Sequence, residues 1–373
     1  MKKLDSLTAL RFFAAASIVI EHSRNGFQSM DWIPIFHYDY GVSFFFVLSG
    51  FILCYAYRSF DGAPSVRDFY VARIARIWPL HLFMLCVYLM LVPKSGWSPG
   101  WGGGYHAAII FSNALMIHAW IPISAFFFGL NAVSWSISAE AFFYLMFPVL
   151  RNRWAQTWHW KSLLVLSASC AILLISTAYG VKPLNPSDPW AISSEGIGYI
   201  SPLVRIIEFV MGMLVSNAYV AIQSRKLPES VAMWTVIEVG ALALVVLTDR
   251  LVGHSYASPW SVFCLESADA PAFAFVVLVF SVGNGLISRL ISTRPLVLLG
   301  ESSFALYLLH LVLYRVFDTH RQLFTVPDAV LCIGYWATAI GVSLLLWRFV
   351  ETPARDWIRN RARREVVPTS AAI

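Results

Sequence analysis

The sequence predicts an all-α fold, a polytopic transmembrane helix bundle, on three observations. Charged residues are 13% of the chain, roughly half the fraction of about 25% usual in soluble domains. Mean hydropathy is +0.66. Eleven apolar segments, most of them near the roughly 20 residues that carry a helix across a bilayer, follow one another with short linkers between them. One transmembrane domain is expected over residues 1–358. A short basic cytoplasmic tail, 359–373, is expected to follow, disordered at its end.

The segments are 7–23, 41–57, 77–93, 106–121, 131–150, 162–180, 199–221, 231–248, 270–288, 295–316 and 329–350. The first, "LTALRFFAAASIVIEHS", follows Lys2 and Lys3 as the core of a signal peptide would. Arg11, Glu21 and the lack of a small-residue cleavage site after His22 favour a retained helix instead. The fourth is decided by charge. If it does not cross and the N-terminus is cytoplasmic, 19 of the 27 lysines and arginines fall inside and six outside, with Arg11 and Arg205 inside helices. If 106–121 crossed, every later loop would flip and most late basic loops would lie outside, against the positive-inside rule. The expectation is about ten full spans plus one interfacial or partly inserted helix on the outer face, with both termini cytoplasmic. The preceding "GWSPGWGGGYH" is Gly- and Trp-rich, as suits the interface.

The net charge of +6 fits basic loops beside anionic membrane lipid, and no basic patch interleaved with aromatics points to nucleic acid. The five cysteines, Cys54, Cys86, Cys170, Cys264 and Cys332, are odd in number and lack C-x-x-C spacing. They suit neither a disulfide framework nor a metal site, and are expected as buried small apolar residues.

Polar groups inside hydrocarbon are costly and mark function by default. Arg11 and His22 are eleven residues apart, which returns them to within about 20° of one helix face and separates them by about 16 Å along the axis. They read either as a functional pair or as groups bonded to neighbouring helices. Glu21 is turned about 100° from His22 and is not assigned as its partner. Arg73 and Arg76 share one side of a helix and suit phosphate oxygens, or equally a basic belt at lipid headgroups. Ser136, Glu140 and Tyr144 form a stripe at steps of four. Glu140 would lie deep in the membrane, either neutral or paired with Arg11. Arg205 and Glu208 read as a structural pair. In "GESSFALYLLH", Ser303, Tyr307 and His310 share a face, and His310 is a second candidate acid–base or substrate-binding group. Arg348, Glu351 and Arg355 are expected to interlock at a cytoplasmic helix end.

Six of these segments, in order, resemble the membrane-bound acyltransferase family 3, the bacterial sugar O-acyltransferases. "LTALRFFAAASIVIEH" is similar to its arginine–ten residues–histidine opening, "GVSFFFVLSGFIL" to its second helix, and "RIARIWPLH" to its R-x-x-R segment. "WSISAEAFFYLMFP", "LGESSFALYLLH" and "ETPAR" are similar to its later motifs. The chain departs from the commonest pattern at Thr8–Ala9 and at Phe142–Phe143. The resemblance implies a cytoplasmic acyl-CoA donor (acetyl-CoA by default), no metal, and a glycan or lipid-linked saccharide acceptor toward the outside of the bacterial inner membrane. It makes His22 the catalytic histidine with Arg11 in support. Glu140 would sit close to the reacting groups, and Arg73 and Arg76 would hold the CoA phosphates. The chemistry needs a base and an oxyanion donor. His22 is expected as base in direct transfer, or as acyl carrier, and Arg11, Ser136 or backbone N–H groups as donors. Tyr144, Tyr307 and His310 are expected to touch or support the substrate. Trp97, Trp101, Trp190 and Trp260 in outer loops could stack on sugar rings or anchor at the interface. A homo-oligomer is left open. The rival class is a proton-coupled transporter, set back by the lack of repeat halves and paired broken helices.

Overall fold

The computed structural model describes residues 4–33, 38–60, 65–100, 104–225, 227–252 and 257–364; the expectations on Lys2, Lys3, Trp101, Lys226 and the tail beyond 364 lie outside them. The helices are α1 (Asp5–Ser23), α2 (Gly41–Ala56), α3 (Val66–Leu91), α4 (His106–Ala114), α5 (Ser124–Phe127), α6 (Trp135–Arg151), α7 (Trp154–Ala178) and α8 (Pro202–Gln223). They continue with α9 (Val231–Leu251), α10 (Pro259–Ser267), α11 (Ala270–Val282), α12 (Leu286–Ile291), α13 (Arg294–Glu301), α14 (Ser303–Thr319), α15 (Asp328–Leu346) and α16 (Thr352–Arg364). No strand forms among the described residues; an isolated bridge joins Ile123 to Ile192. The chain is an all-α polytopic helix bundle.

Seven helical stretches among the described residues are long and apolar enough to cross a membrane, and eight if α13 and α14, bent by 61°, count as one. The other two expected spans are α2, with 16 residues, and α1, whose 19 residues include Asp5, Arg11 and Glu21. Segment 106–121 holds α4, nine residues or about 13 Å, and a 3-10 turn at His118–Trp120, and neither is long enough to span hydrocarbon of about 30 Å. It is tied inward by Trp78 Nε1, which donates to Ala114 O at 2.9 Å, and by the His81 ring, 2.8 Å from Asn113 O.

Three boundaries differ from expectation. α3 begins eleven residues before the apolar run, because Ser65 and Asp68 close a capping box there. The run 295–316 breaks at Ser302, where α13 crosses α1 so closely that a Cβ on Gly300 would lie 1.8 Å from Thr8 O. The last span runs through a π turn, Trp347–Glu351, into α16, so residues 359–364 continue a helix. The cysteine expectation fails in part. Only Cys54 is buried, while Cys86 and Cys264 are exposed, because a membrane bundle turns apolar residues outward to lipid as readily as inward. The outward faces of α7, α9 and α15 likewise expose Leu163, Leu174, Val236 and Ile333.

Buried charges are closed off by the fold. Arg205 pairs with Glu208 at 3.3 Å, as expected, donates to Glu266 O, Ser267 Oγ and Ser43 Oγ at 2.9–3.1 Å, and lies against the rings of Phe46, Trp135 and Tyr199. Glu238 of α9 accepts from Gly285 N, Ile287 N and Ser288 Oγ, capping α12.

α2 and α8 meet backbone to backbone. A Cβ on Gly50 would stand 1.9 Å from Phe209 O, and one on Gly212 1.9 Å from Val47 O. Small residues permit this approach, and helix packing in lipid depends on it. Gly50→Ala or Gly212→Ala is therefore expected to cost at least about 1–3 kcal/mol by overpacking. Gly240→Ala, with open space around it, is expected to be neutral or stabilising by up to about 1 kcal/mol. Thermal unfolding in detergent distinguishes the two sets; equal effects would remove this account of the α2–α8 contact.

Candidate active site

α1, α2, α3, α6, α13, α14 and α16 enclose a cavity of about 520 Å³. It follows α2 from Val42 to Leu53, about 16 Å at 1.5 Å per residue. Its wall carries Arg11, Arg73, Arg76, Arg355 and Arg359 against Glu140 and Glu301, so its field is cationic. Toward α16 the lining is basic. Toward the other end it becomes Phe45, Phe46, Ser136, Ile137 and Tyr307.

Each charge in this wall is held differently. Arg73 lies against the rings of Tyr57, Phe69 and Tyr144, 5.7–5.9 Å from their centroids, and its Nε has no hydrogen-bond partner among the described residues. Its charge is held by ring faces, which leaves N–H donors for an anion. Arg76 instead forms an ion pair with the buried carboxylate of Glu351 and lies 5.6 Å from the Phe304 ring. This corrects the expected interlock at 348–355. The π turn at 347–351 rotates Glu351 onto α3, Arg348 is exposed, and Arg355 pairs with Asp356 at 3.1 Å. Arg11 lines the cavity, and among the described residues no ion pair joins it to Glu140. Glu140 Oε1 instead accepts from Tyr144 Oη at 2.5 Å and from Ser49 Oγ at 3.1 Å.

The stripe expected on α6 therefore divides. Glu140 and Tyr144 bond one turn apart, while Ser136 turns to Tyr307, with their hydroxyl oxygens 2.7 Å apart. Tyr307 Oη also donates to Val133 O at 2.8 Å, and Ser136 Oγ lies 3.1 Å from the same carbonyl. Each hydroxyl has one hydrogen, so both are spent inside this triangle and neither is left over for an oxyanion. The oxyanion role expected of Ser136 does not fit this arrangement.

His22 does not line the cavity. Tyr307, in the cavity wall, packs on His310 with ring centroids 5.8 Å apart, and His310 packs on His22 at 5.2 Å. His310 Nε2 lies 3.3 Å from His22 Nδ1, which in turn is 2.9 Å from Ile18 O. Glu21 faces away and pairs with Arg24 at 3.4 Å, as its helical angle predicts. With about 16 Å of helix between Arg11 and His22, these two cannot touch the same reacting atom. The structure thus joins Arg11, Glu140, Arg73, Arg76, Ser136, Tyr144 and Tyr307 around one cavity, and sets His22 and His310 just past its Tyr307 end. Sequence reading missed Ser49 and Arg359 and gave Arg355 only a structural role. The legible signals were a serine inside an apolar run and two arginines four apart on one helix face.

The family description for an acyltransferase domain (Acyl_transf_3) matches residues 4–348. The chain belongs to the acyltransferase 3 family. This acyltransferase is 27% identical to acyltransferase MdmB of Streptomyces mycarofaciens over 99% of its length and 95% of that protein's. It is 23% identical to O-acetyltransferase OatA of Staphylococcus aureus over 94% of its length and 57% of that protein's, so it spans little more than half of OatA. No solved structure matches. An acyltransferase needs an acyl donor, and no cluster of three metal-ligating side chains occurs among the described residues. The loop tryptophans are partly committed: Trp97 Nε1 donates to Val92 O at 2.6 Å, and Trp190 packs on Tyr105.

The Arg76–Glu351 pair makes a prediction about stability. Glu351→Ala leaves a cation with its neutralising partner gone and is expected to cost about 3 kcal/mol, whereas removing both charges in Arg76→Met/Glu351→Leu is expected to recover most of that loss. A double-mutant cycle by thermal unfolding measures it, and additive losses would contradict the pairing.

Proposed function

We propose that this acyltransferase moves an acyl group, acetyl by default, from cytoplasmic acyl-CoA to a hydroxyl of a cell-surface glycan or lipid-linked saccharide on the outer side of the inner membrane. The observation that carries the reading is the cavity itself, basic at the α16 end and ending at Tyr307, beyond which stand His310 and His22. Ten crossings with both termini cytoplasmic belong to this proposal and would open the basic end to the cytoplasm.

In this reading Arg73, with free donors, takes donor phosphate, helped by Arg355 and Arg359 at the mouth. Arg76 presents a charge already half-neutralised by Glu351. Arg11 and Glu140 meet the polar arm of the donor part-way along, which makes Arg11 a donor-binding residue. The thioester carbon comes to rest at the Tyr307 end. The acceptor oxygen attacks that carbon while His22 removes its proton, the C–S bond breaks, and the proton passes to the leaving thiolate. The name of the OatA relative, an O-acetyltransferase, supports an oxygen acceptor.

Two substitutions separate the roles. His22→Ala is expected to abolish transfer while leaving acetyl-CoA binding within about twofold, because the histidine lies outside the cavity. Arg73→Gln removes a charge-assisted contact of about 1.5–3 kcal/mol, and is expected to raise KM for acetyl-CoA by about 10- to 100-fold with kcat little changed. Free CoA release from acetyl-CoA in native membranes, against membranes lacking the protein, measures transfer and KM, and binding of radiolabelled acetyl-CoA to the same membranes measures affinity in His22→Ala. Mass spectrometry of surface glycans identifies the product. Normal transfer by His22→Ala would refute the assignment of the base.

A further inference from the structure

The two histidines fix each other's protons. His310 is fully buried, and its Nδ1 is 3.3 Å from Leu306 O, one turn back on α14. A carbonyl only accepts, so Nδ1 carries hydrogen and the neutral ring has its lone pair on Nε2. That Nε2 is 3.3 Å from His22 Nδ1. His22 Nδ1 is also 2.9 Å from Ile18 O, so it too carries hydrogen. One N–H therefore points between two acceptors, the Ile18 carbonyl and the His310 imidazole, and the lone pair of His22 is left on Nε2. His310 is itself held by Tyr335 Oη, which donates to its carbonyl at 3.2 Å, and by the Tyr307 ring on its other flank.

The distances say when this contact matters. In the resting protein the shorter bond goes to Ile18, and His310 is the longer arm of a three-centre bond. When His22 Nε2 takes the acceptor's proton, the ring becomes an imidazolium and its Nδ1–H becomes a charge-assisted donor, about twice as strong toward a neutral acceptor. A contact that strengthens as charge develops lowers the barrier without tightening donor binding. We propose that His310 is the positioning residue of this acyltransferase, holding His22 with Nε2 unprotonated and stabilising the imidazolium formed during transfer. Its place is that of the carboxylate in a Ser-His-Asp triad, filled here by a neutral ring. The step balances: the O–C bond forms, the C–S bond breaks, the proton goes from hydroxyl to His22 Nε2 and on to the thiolate, and His310 ends unchanged. The inference rests on His22 being the base.

The test uses the full chain in native membranes with acetyl-CoA as donor. His310→Leu, of similar bulk without an acceptor atom, is expected to lower kcat at least about 100-fold, the scale of a lost base orientation, with KM for acetyl-CoA unchanged within twofold. His310→Gln restores an acceptor oxygen near the Nε2 position and is expected to recover to within about tenfold of the parent protein. His22→Ala/His310→Leu is expected to be no worse than His22→Ala. Equal loss in the Leu and Gln variants, a rise in KM alone, or no loss would each overturn the proposal. If His22→Ala is inactive while both His310 variants are normal, this inference fails and the base assignment stands; if His22→Ala is active, both fail. Should His310→Leu not fold, 15N-histidine NMR of the parent against His22→Ala reads the same point. A neutral His22 ring protonated on Nδ1 is expected, and one protonated on Nε2 overturns the proposal.

Discussion

A guanidinium cannot stand bare in hydrocarbon, and the arrangement of this bundle follows from how it answers that constraint. Arg205 is enclosed completely: a carboxylate, a carbonyl, two hydroxyls and three aromatic rings surround it, and α2, α8 and α10 are fixed around it. Arg76 is neutralised by one carboxylate from the far end of the chain. Arg73 is given only ring faces, and Arg11 faces the cavity. The series runs from a dense polar and aromatic shell to the wall of the cavity, and the cavity is where a polyanion can enter. A buried charge left without a partner is expensive, so the incompletely answered arginines mark the site better than the buried ones do.

The same economy shapes the Tyr307 end of the cavity. Tyr307, Ser136 and Val133 satisfy one another, and His310 and His22 satisfy each other through nitrogen rather than oxygen. A neutral imidazole as the partner of His22 avoids placing a permanent anion inside the membrane, at the cost of a weaker hold in the resting state. The small-residue contacts at Gly50, Gly212 and Gly300 then matter to chemistry as well as packing, since they fix the separations of α2, α8, α1 and α13 around this line of groups.

Much was legible because a membrane helix has one period and one length. The all-α class follows from composition and the apolar runs, the non-crossing of segment 106–121 from the charge of the loops, and the turning away of Glu21 and the local pair Arg205–Glu208 from helical spacing. The family resemblance rested on six short motifs in order, and the match over residues 4–348 agrees with it. Local geometry failed where the backbone left its period. The π turn took Glu351 from Arg348 and Arg355 to Arg76, and a 61° bend at Ser302 broke the run 295–316 into two helices.

By itself the sequence determined which residues could be charged inside the membrane and which face of a helix each occupies, because helical rise and rotation are fixed by backbone stereochemistry. Only the tertiary structure decided partners. That Ser136 answers Tyr307 rather than an oxyanion, that Glu140 answers Ser49 and Tyr144 rather than Arg11, and that His22 meets His310 across 288 residues depends on how helices cross. Crossing is set by the sum of many weak side-chain contacts between distant segments, which no local spacing encodes.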